Sequence, residues 1–185
     1  MFNLIQKPAP DFKAQAVSSD GKFIEVKLSD FKNSRNVLLF FYPLDFTFVC
    51  PTELLSLSEN IERFKNLNVE VLAISVDSKY SHLAWRNIPI EKGGIGNVNF
   101  SMVSDITKDI SRDYCILLDD SISLRATFFI DRNGLVRFYS VNDLQIGRNI
   151  EEIIRIIEAF KYNNETDGEV CPMNWKKGDT GIKIK

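Results

Sequence analysis

Apolar side chains follow two rhythms along this chain. Val37-Leu38-Leu39-Phe40-Phe41-Tyr42 is apolar at every position, the mark of a short strand covered on both faces. Leu54, Leu57, Ile61 and Phe64 then recur at helical spacing, with Glu59, Glu62, Arg63 and Lys65 off the stripe, which predicts an amphipathic helix. The pair repeats. Val69 to Val76 reads as a second strand and Ser78 to Arg86 as a second helix, an order that favours parallel strands. Gly93-Gly94-Ile95-Gly96 interrupts the pattern, and Phe100 to Ser104 is a short further strand. Ala126 to Ile130 and Val136 to Val141 flank Asp131-Arg132-Asn133-Gly134, whose Asn-Gly tip predicts a hairpin. Asn149 is placed to cap a last helix, with Glu152 reaching back to it; Ile150, Ile153, Ile154, Ile157 and Phe160 supply the stripe that packs on the sheet.

Parallel strands first, then an antiparallel hairpin and a helix, is the order of a thioredoxin-like α/β fold with a mixed central sheet flanked by helices. No repeat, low-complexity tract or linker divides residues 1–163, which predict one domain. Residues 164–185 are polar and glycine-containing and predict an extended, partly mobile C-terminal arm. Composition then narrows the partners. The 185 residues carry 23 Lys and Arg against 25 Asp and Glu, so no basic stripe follows a phosphate backbone and nucleic acid is not expected. No apolar run approaches the roughly 20 residues that span a bilayer, so no membrane is expected either. His82 is the single histidine and no Cys-x-x-Cys pair exists, which leaves no expected metal site or cofactor. Three cysteines do not make a disulfide framework. Their odd number points to a reducing compartment: the cytoplasm, or the mitochondrion if a transit peptide has been removed.

One of those thiols sits where chemistry is favoured. Cys50 follows the apolar strand and precedes Pro51, which suits the first position of a helix. Unsatisfied N–H groups and the positive end of the helix dipole favour an anion there, so thiolate is preferred over thiol. In a thioredoxin-type oxidoreductase the second thiol lies three residues later; that position is Glu53, so oxidised Cys50 needs another partner. Cys115, in the apolar run Tyr114 to Leu118, is expected to be buried and structural. Cys171, in the polar arm, is the better resolving thiol. A thiolate with a separate partner thiol suits peroxide reduction, in which sulfur attacks the O–O bond and becomes a sulfenic acid. A hydroxyl and a fixed cation aimed at the two oxygens lower that barrier most; Thr47 supplies the hydroxyl, and Arg125 ranks slightly above Arg148 as the cation.

These residues bring the chain close to a known family. It resembles the typical 2-Cys peroxiredoxins, the thioredoxin peroxidases of the alkyl hydroperoxide reductase C type. The resemblance rests on Phe41 to Glu53 with the order Pro43, Thr47, Cys50; on Ser123-Leu124-Arg125; on Val141-Asn142-Asp143-Leu144 with Ile146-Gly147-Arg148; and on Val170-Cys171-Pro172. It implies that Cys50 is the peroxidatic cysteine and Cys171 the resolving cysteine of a partner subunit. It also implies that Thr47 and Arg125 activate the peroxide, that Pro43 shields the thiolate, and that Glu53 and Arg148 form a supporting charge network. Implied substrates are hydrogen peroxide and organic hydroperoxides, with thioredoxin as reductant and a homodimer, in some members a decamer, as the assembly. A holdase chaperone role would be an addition to the peroxidase. Gly93 to Gly96 match the glycine segment of oxidation-sensitive members, but no Tyr-Phe pair follows Trp175, so intermediate to robust behaviour towards excess peroxide is expected. His82, beside an aromatic residue, reads as a packed or capping group, and Trp85 as packing near the pocket.

Overall fold

A computed structural model describes residues 3–166 and 168–184. In chain order its elements are β1 (Lys13–Val17), β2 (Phe23–Lys27), β3 (Asn36–Phe41), α1 (Val49–Glu59), α2 (Ile61–Asn66), β4 (Val69–Ser75), α3 (Lys79–Arg86), β5 (Ser101–Ser104), α4 (Asp109–Asp113), β6 (Leu117–Leu118), β7 (Ile122–Ser123), β8 (Arg125–Ile130), β9 (Val136–Asn142) and α5 (Ile150–Glu165). The main sheet runs β2-β1-β5-β4-β3-β8-β9. β3 pairs with β4, and β4 with β5, in parallel; the other neighbours pair antiparallel. The expected mixed sheet is present.

The all-apolar run of β3 is explained by its central place. Leu38 and Phe40 face one core with Leu54, Leu57, Phe64, Ile153, Ile154 and Ile157; Val37, Leu39 and Phe41 face a second core with Leu28, Ile110, Tyr114 and Phe128. Successive strand side chains point to opposite faces, so a strand between two layers needs apolar residues at every step. On α5, each fully buried isoleucine of the stripe contributes up to about 1.5–3 kcal/mol.

Four expectations change. The stripe from Leu54 to Phe64 is two helices, because Asn60 leaves helical geometry (φ −97°, ψ 6°) and its side-chain amide donates to the Ser56 carbonyl at 2.9 Å, competing with the backbone. Asn149 does cap α5, accepting from the N–H groups of Glu151 and Glu152, but the Glu152 carboxylate turns away to Arg155 at 2.6 Å instead of closing the cap. Cys115 is exposed, at φ +56°, because the chain turns sharply after α4 and lifts that side chain out of the apolar run. The arm is not extended: α5 continues to Glu165, past the 163/164 boundary, and the residues after it fold back on the helix, with Trp175 only 2% exposed.

Candidate active site

Tyr42 continues the sheet by donating its N–H to Ile74 and accepting from Ser123 Oγ at 2.8 Å; beyond it, Pro43 to Phe48 form the loop that carries the chain from β3 to α1. Asp45 anchors this loop. Its backbone N–H donates to Asp77 at 2.8 Å, and its buried carboxylate accepts from Tyr42 Oη at 2.7 Å and Ser81 Oγ at 2.8 Å and meets His82 Nδ1 at 2.9 Å. His82 Nε2 faces the Val103 carbonyl at 3.2 Å; a carbonyl only accepts, so that nitrogen carries a proton. Burial and the neighbouring Asp45 charge push the Asp77 carboxyl above its ordinary value, and burial pushes the Tyr42 phenol far up. Phe46 adopts a left-handed φ of +55° and its ring rests 5.7 Å from that of Trp85, whose indole N–H donates to Gly93. Histidine and tryptophan are thus packing groups behind the loop.

The loop delivers Cys50 to the second position of α1 and Pro51 to the third; the helix opens at Val49, two residues earlier than Pro51 at the first position would set it, with no side-chain cap on Phe48. Cys50 is fully buried. Arg125 Nη1, at the first residue of β8, lies 3.4 Å from Cys50 Sγ. The same guanidinium is fixed from two other sides: Nε donates to the Leu144 carbonyl at 2.7 Å and Nη1 to Glu53 at 3.0 Å. Three residues after Cys50 on α1, Glu53 points from the same helix face and is itself only 6% exposed. It also accepts from Arg148, through Nε at 2.9 Å, Nη2 at 2.8 Å and the backbone N–H at 2.8 Å. Arg148 is completed by the Ala126 carbonyl at 2.8 Å and by the face of the Phe40 ring, 3.3 Å away. Burial raises the Glu53 carboxyl, but hydrogen bonds and charge from Arg148, then Arg125, outweigh it and hold the group below its ordinary value; burial pushes the Arg148 guanidinium down. Two buried cations share one carboxylate, which leaves net positive charge beside the sulfur.

Thr47, one turn before Cys50, donates its hydroxyl to the Leu44 carbonyl at 3.0 Å. Pro43 is buried at the base of the loop. Cys171 is brought to none of these residues: its thiol is half-buried against α5, 3.6 Å from the Ala159 carbonyl, and burial raises its pKa. The Asp45 cluster with Tyr42, Ser81 and Asp77 is the part of the site that sequence reading missed. Its one visible signal was an acid inside an otherwise apolar and aromatic segment. Among the described residues no group of His, Cys, Asp and Glu side chains is arranged to hold a metal ion.

The AhpC/TSA family model matches residues 5–139, and that of the C-terminal domain of 1-Cys peroxiredoxin matches residues 159–184, a stretch that here contains Cys171. A mitochondrial thioredoxin-dependent peroxide reductase of Drosophila melanogaster is 52% identical over 182 residues, covering 98% of this chain and 76% of that protein. Peroxiredoxin-2 of Macaca fascicularis is 52% identical over 180 residues, covering 97% of this chain and 89% of its own. The crystal structure of reduced Plasmodium vivax 2-Cys peroxiredoxin superposes with a TM-score of 0.96 at 52% identity, over 97% of this chain and 93% of the other. With a buried cysteine and an arginine–glutamate–arginine cluster at the strand-to-helix junction, and a second cysteine in the C-terminal segment, the chain belongs to the AhpC/TSA family as a 2-Cys peroxiredoxin.

Proposed function

We propose that this protein is a thioredoxin-dependent peroxide reductase acting on hydrogen peroxide and organic hydroperoxides, with Cys50 as the attacking thiol. The observation that carries the reading is Arg125 Nη1 at 3.4 Å from Cys50 Sγ, held in place by Glu53. The Cys50 thiolate attacks the near oxygen of the peroxide; the O–O bond breaks, the far oxygen leaves with the bonding pair as hydroxide or alkoxide, and sulfur is oxidised to a sulfenic acid. Charge moves from sulfur to oxygen along this path, and a guanidinium already fixed by two other acceptors needs no reorganisation to follow it. Thr47 takes a different part from the one expected. Its proton is committed to Leu44, so it offers a peroxide lone pairs and accepts the O–H of the incoming hydroperoxide. Pro43, apolar and without an N–H, keeps water from the thiolate, and Arg148 holds Glu53 in position for Arg125.

Cys171 of a second subunit then attacks the sulfenic sulfur. An S–S bond forms, the S–O bond breaks, and hydroxide leaves with the thiol proton as water; thioredoxin reduces the disulfide. No cofactor takes part. If Cys171 is slow, a second peroxide oxidises the sulfenic acid to sulfinic acid. The unpaired edge of β9 supports a homodimer built by edge pairing, and the exposed rings of Phe46 and Phe48 are apolar surface that assembly of five such dimers into a decamer would cover. The same exposed side chains support an added holdase role. The mitochondrial name of the Drosophila relative favours the mitochondrion over the cytoplasm.

The test is peroxide turnover coupled to thioredoxin, with a non-reducing gel. Cys50→Ser should abolish turnover; Cys171→Ser should abolish the dimer-sized, reductant-sensitive band that peroxide produces. Turnover surviving Cys50→Ser would overturn the assignment.

A further inference from the structure

The second core opens to solvent at one end. Where β3 begins, at the opposite end of that strand from the loop bearing Cys50, a pocket of about 340 Å³ lies between residues 8–11, the turn Leu28–Phe31 and the β8–β9 hairpin. Leu28, Val37 and Ile130 of that core line it, with Ala9, Phe31 and Leu135 beside them, so its interior is mostly apolar. The volume is that of a site for a small molecule.

Two opposite charges stand at this pocket without pairing. Both are tied to Ser29: Asp11 Oδ1 accepts the Ser29 N–H at 2.9 Å and the Phe12 N–H at 3.0 Å, and Lys32 donates its backbone N–H to the Ser29 carbonyl at 3.2 Å. The Lys32 stem runs beside Gly134 on the pocket wall, its Cδ 3.8 Å from where a Cβ would stand there, while the head stays in water. The other charges at the pocket are matched, Arg35 with Glu70 at 2.7 Å and Asp131 with Arg137 at 2.7 Å. Among the described residues the Lys32 ammonium has neither an ion pair nor a hydrogen bond, and Asp11 keeps its second carboxylate oxygen open.

We propose that this pocket binds a free α-amino acid with a bulky apolar side chain. Its carboxylate meets Lys32, its ammonium meets Asp11, and its side chain displaces water against Leu28, Val37 and Ile130. A ligand that carries both charges and an apolar body matches all three features; a fatty acid or an alkylamine would leave one charge at the mouth unmet. The site is separate from Cys50 and its occupancy does not depend on the peroxidase reading.

The probes are L-leucine and L-phenylalanine, titrated calorimetrically into the full-length protein, with hydrogen exchange to locate them. Protection should appear in residues 8–12, 28–37 and 130–135. Glycine, which has no side chain to bury, should bind at least about 10-fold more weakly than leucine. N-acetyl-leucine and leucinamide, each lacking one charge, should bind about 3- to 10-fold more weakly, the effect of one partly exposed ion pair. Lys32→Gln should weaken leucine but not leucinamide, and Asp11→Asn should weaken leucine but not N-acetyl-leucine; both positions are exposed, and melting temperature checks that each variant is folded. No heat with either amino acid at millimolar concentration overturns the proposal. So does glycine binding as well as leucine, protection centred on the exposed Phe46 and Phe48 rings, or binding of leucine that neither variant changes.

Discussion

Glu53 leaves α1 on the same face as Cys50, and the two arginines that reach it come from opposite ends of the β8–β9 region. A carboxylate this deep survives ionised only because both guanidinium groups are within hydrogen-bond distance, and their net charge is what the sulfur meets. The sign of the pH dependence follows. Glu53 is held below its ordinary value of 4.5, so its contribution to stability is complete above that value and disappears as pH falls through the lower folded value. Melting temperature measured through the acid range should therefore drop more steeply for the native protein than for Glu53→Gln. At neutral pH that variant should unfold about 3–5 kcal/mol more easily in denaturant, since it leaves buried cations without their anion. Equal acid sensitivity in both proteins would show that Glu53 is not the group titrating. From the sequence, Glu53 was visible first as the absence of a second cysteine. Its role as the holder of two cations needs residues 72 and 95 positions away, a spacing that no local pattern encodes.

At the scale of elements, α5 shows how far local rules reach. Its isoleucine stripe and its Asn149 cap follow from spacing and side-chain chemistry, and both are present. Replacing Asn149 with Ala should cost about 1 kcal/mol in thermal or chemical unfolding, because two first-turn N–H groups lose their acceptor; a change near zero would mean that solvent or Glu152 takes over. Glu152 was drawn away by Arg155, a competing partner on the same helix that simple cap rules do not weigh. Strands β3, β4, β8 and β9 were legible because strong β formers run between turn signals. β1 and β2 were not: each is only five residues long, with Lys13, Gln15, Glu25 and Lys27 breaking up few apolar positions, and the pairing depends on a turn at Gly21 (φ +79°). The five-residue α4 is too short for any period to register; Asp105, outside it, holds its first N–H groups.

For the whole molecule, the sheet ends on two unpaired strands, and β9 is the longer of them. Val141 on that edge is exposed, and a charge there opposes pairing with a second copy. Val141→Lys should shift the reduced protein from dimer towards monomer in sedimentation velocity while leaving its melting profile nearly unchanged. A native protein that sediments as a monomer, or a variant that still dimerises fully, would remove β9 as the interface. No helix among the described residues is long and apolar enough to cross a membrane. Cys115 marks where chain-level burial departs from local hydropathy: an apolar run predicts an interior, but one left-handed residue after α4 turns that side chain to solvent while Tyr114 and Ile116 on either side stay buried.

Hydropathy and spacing along the chain were enough to place a thiol at a strand-to-helix junction in a mixed α/β fold, because both features arise from neighbours a few residues apart. The contacts by which Arg125, Glu53 and Arg148 converge on that thiol, a grouping the sequence offered only through a family resemblance, came with the tertiary structure, as did the Asp45 anchor beneath the loop and the folding of the C-terminal segment around Cys171. Each joins residues from separate elements, and their energies depend on exclusion from water, which does not exist until the two layers close over the sheet.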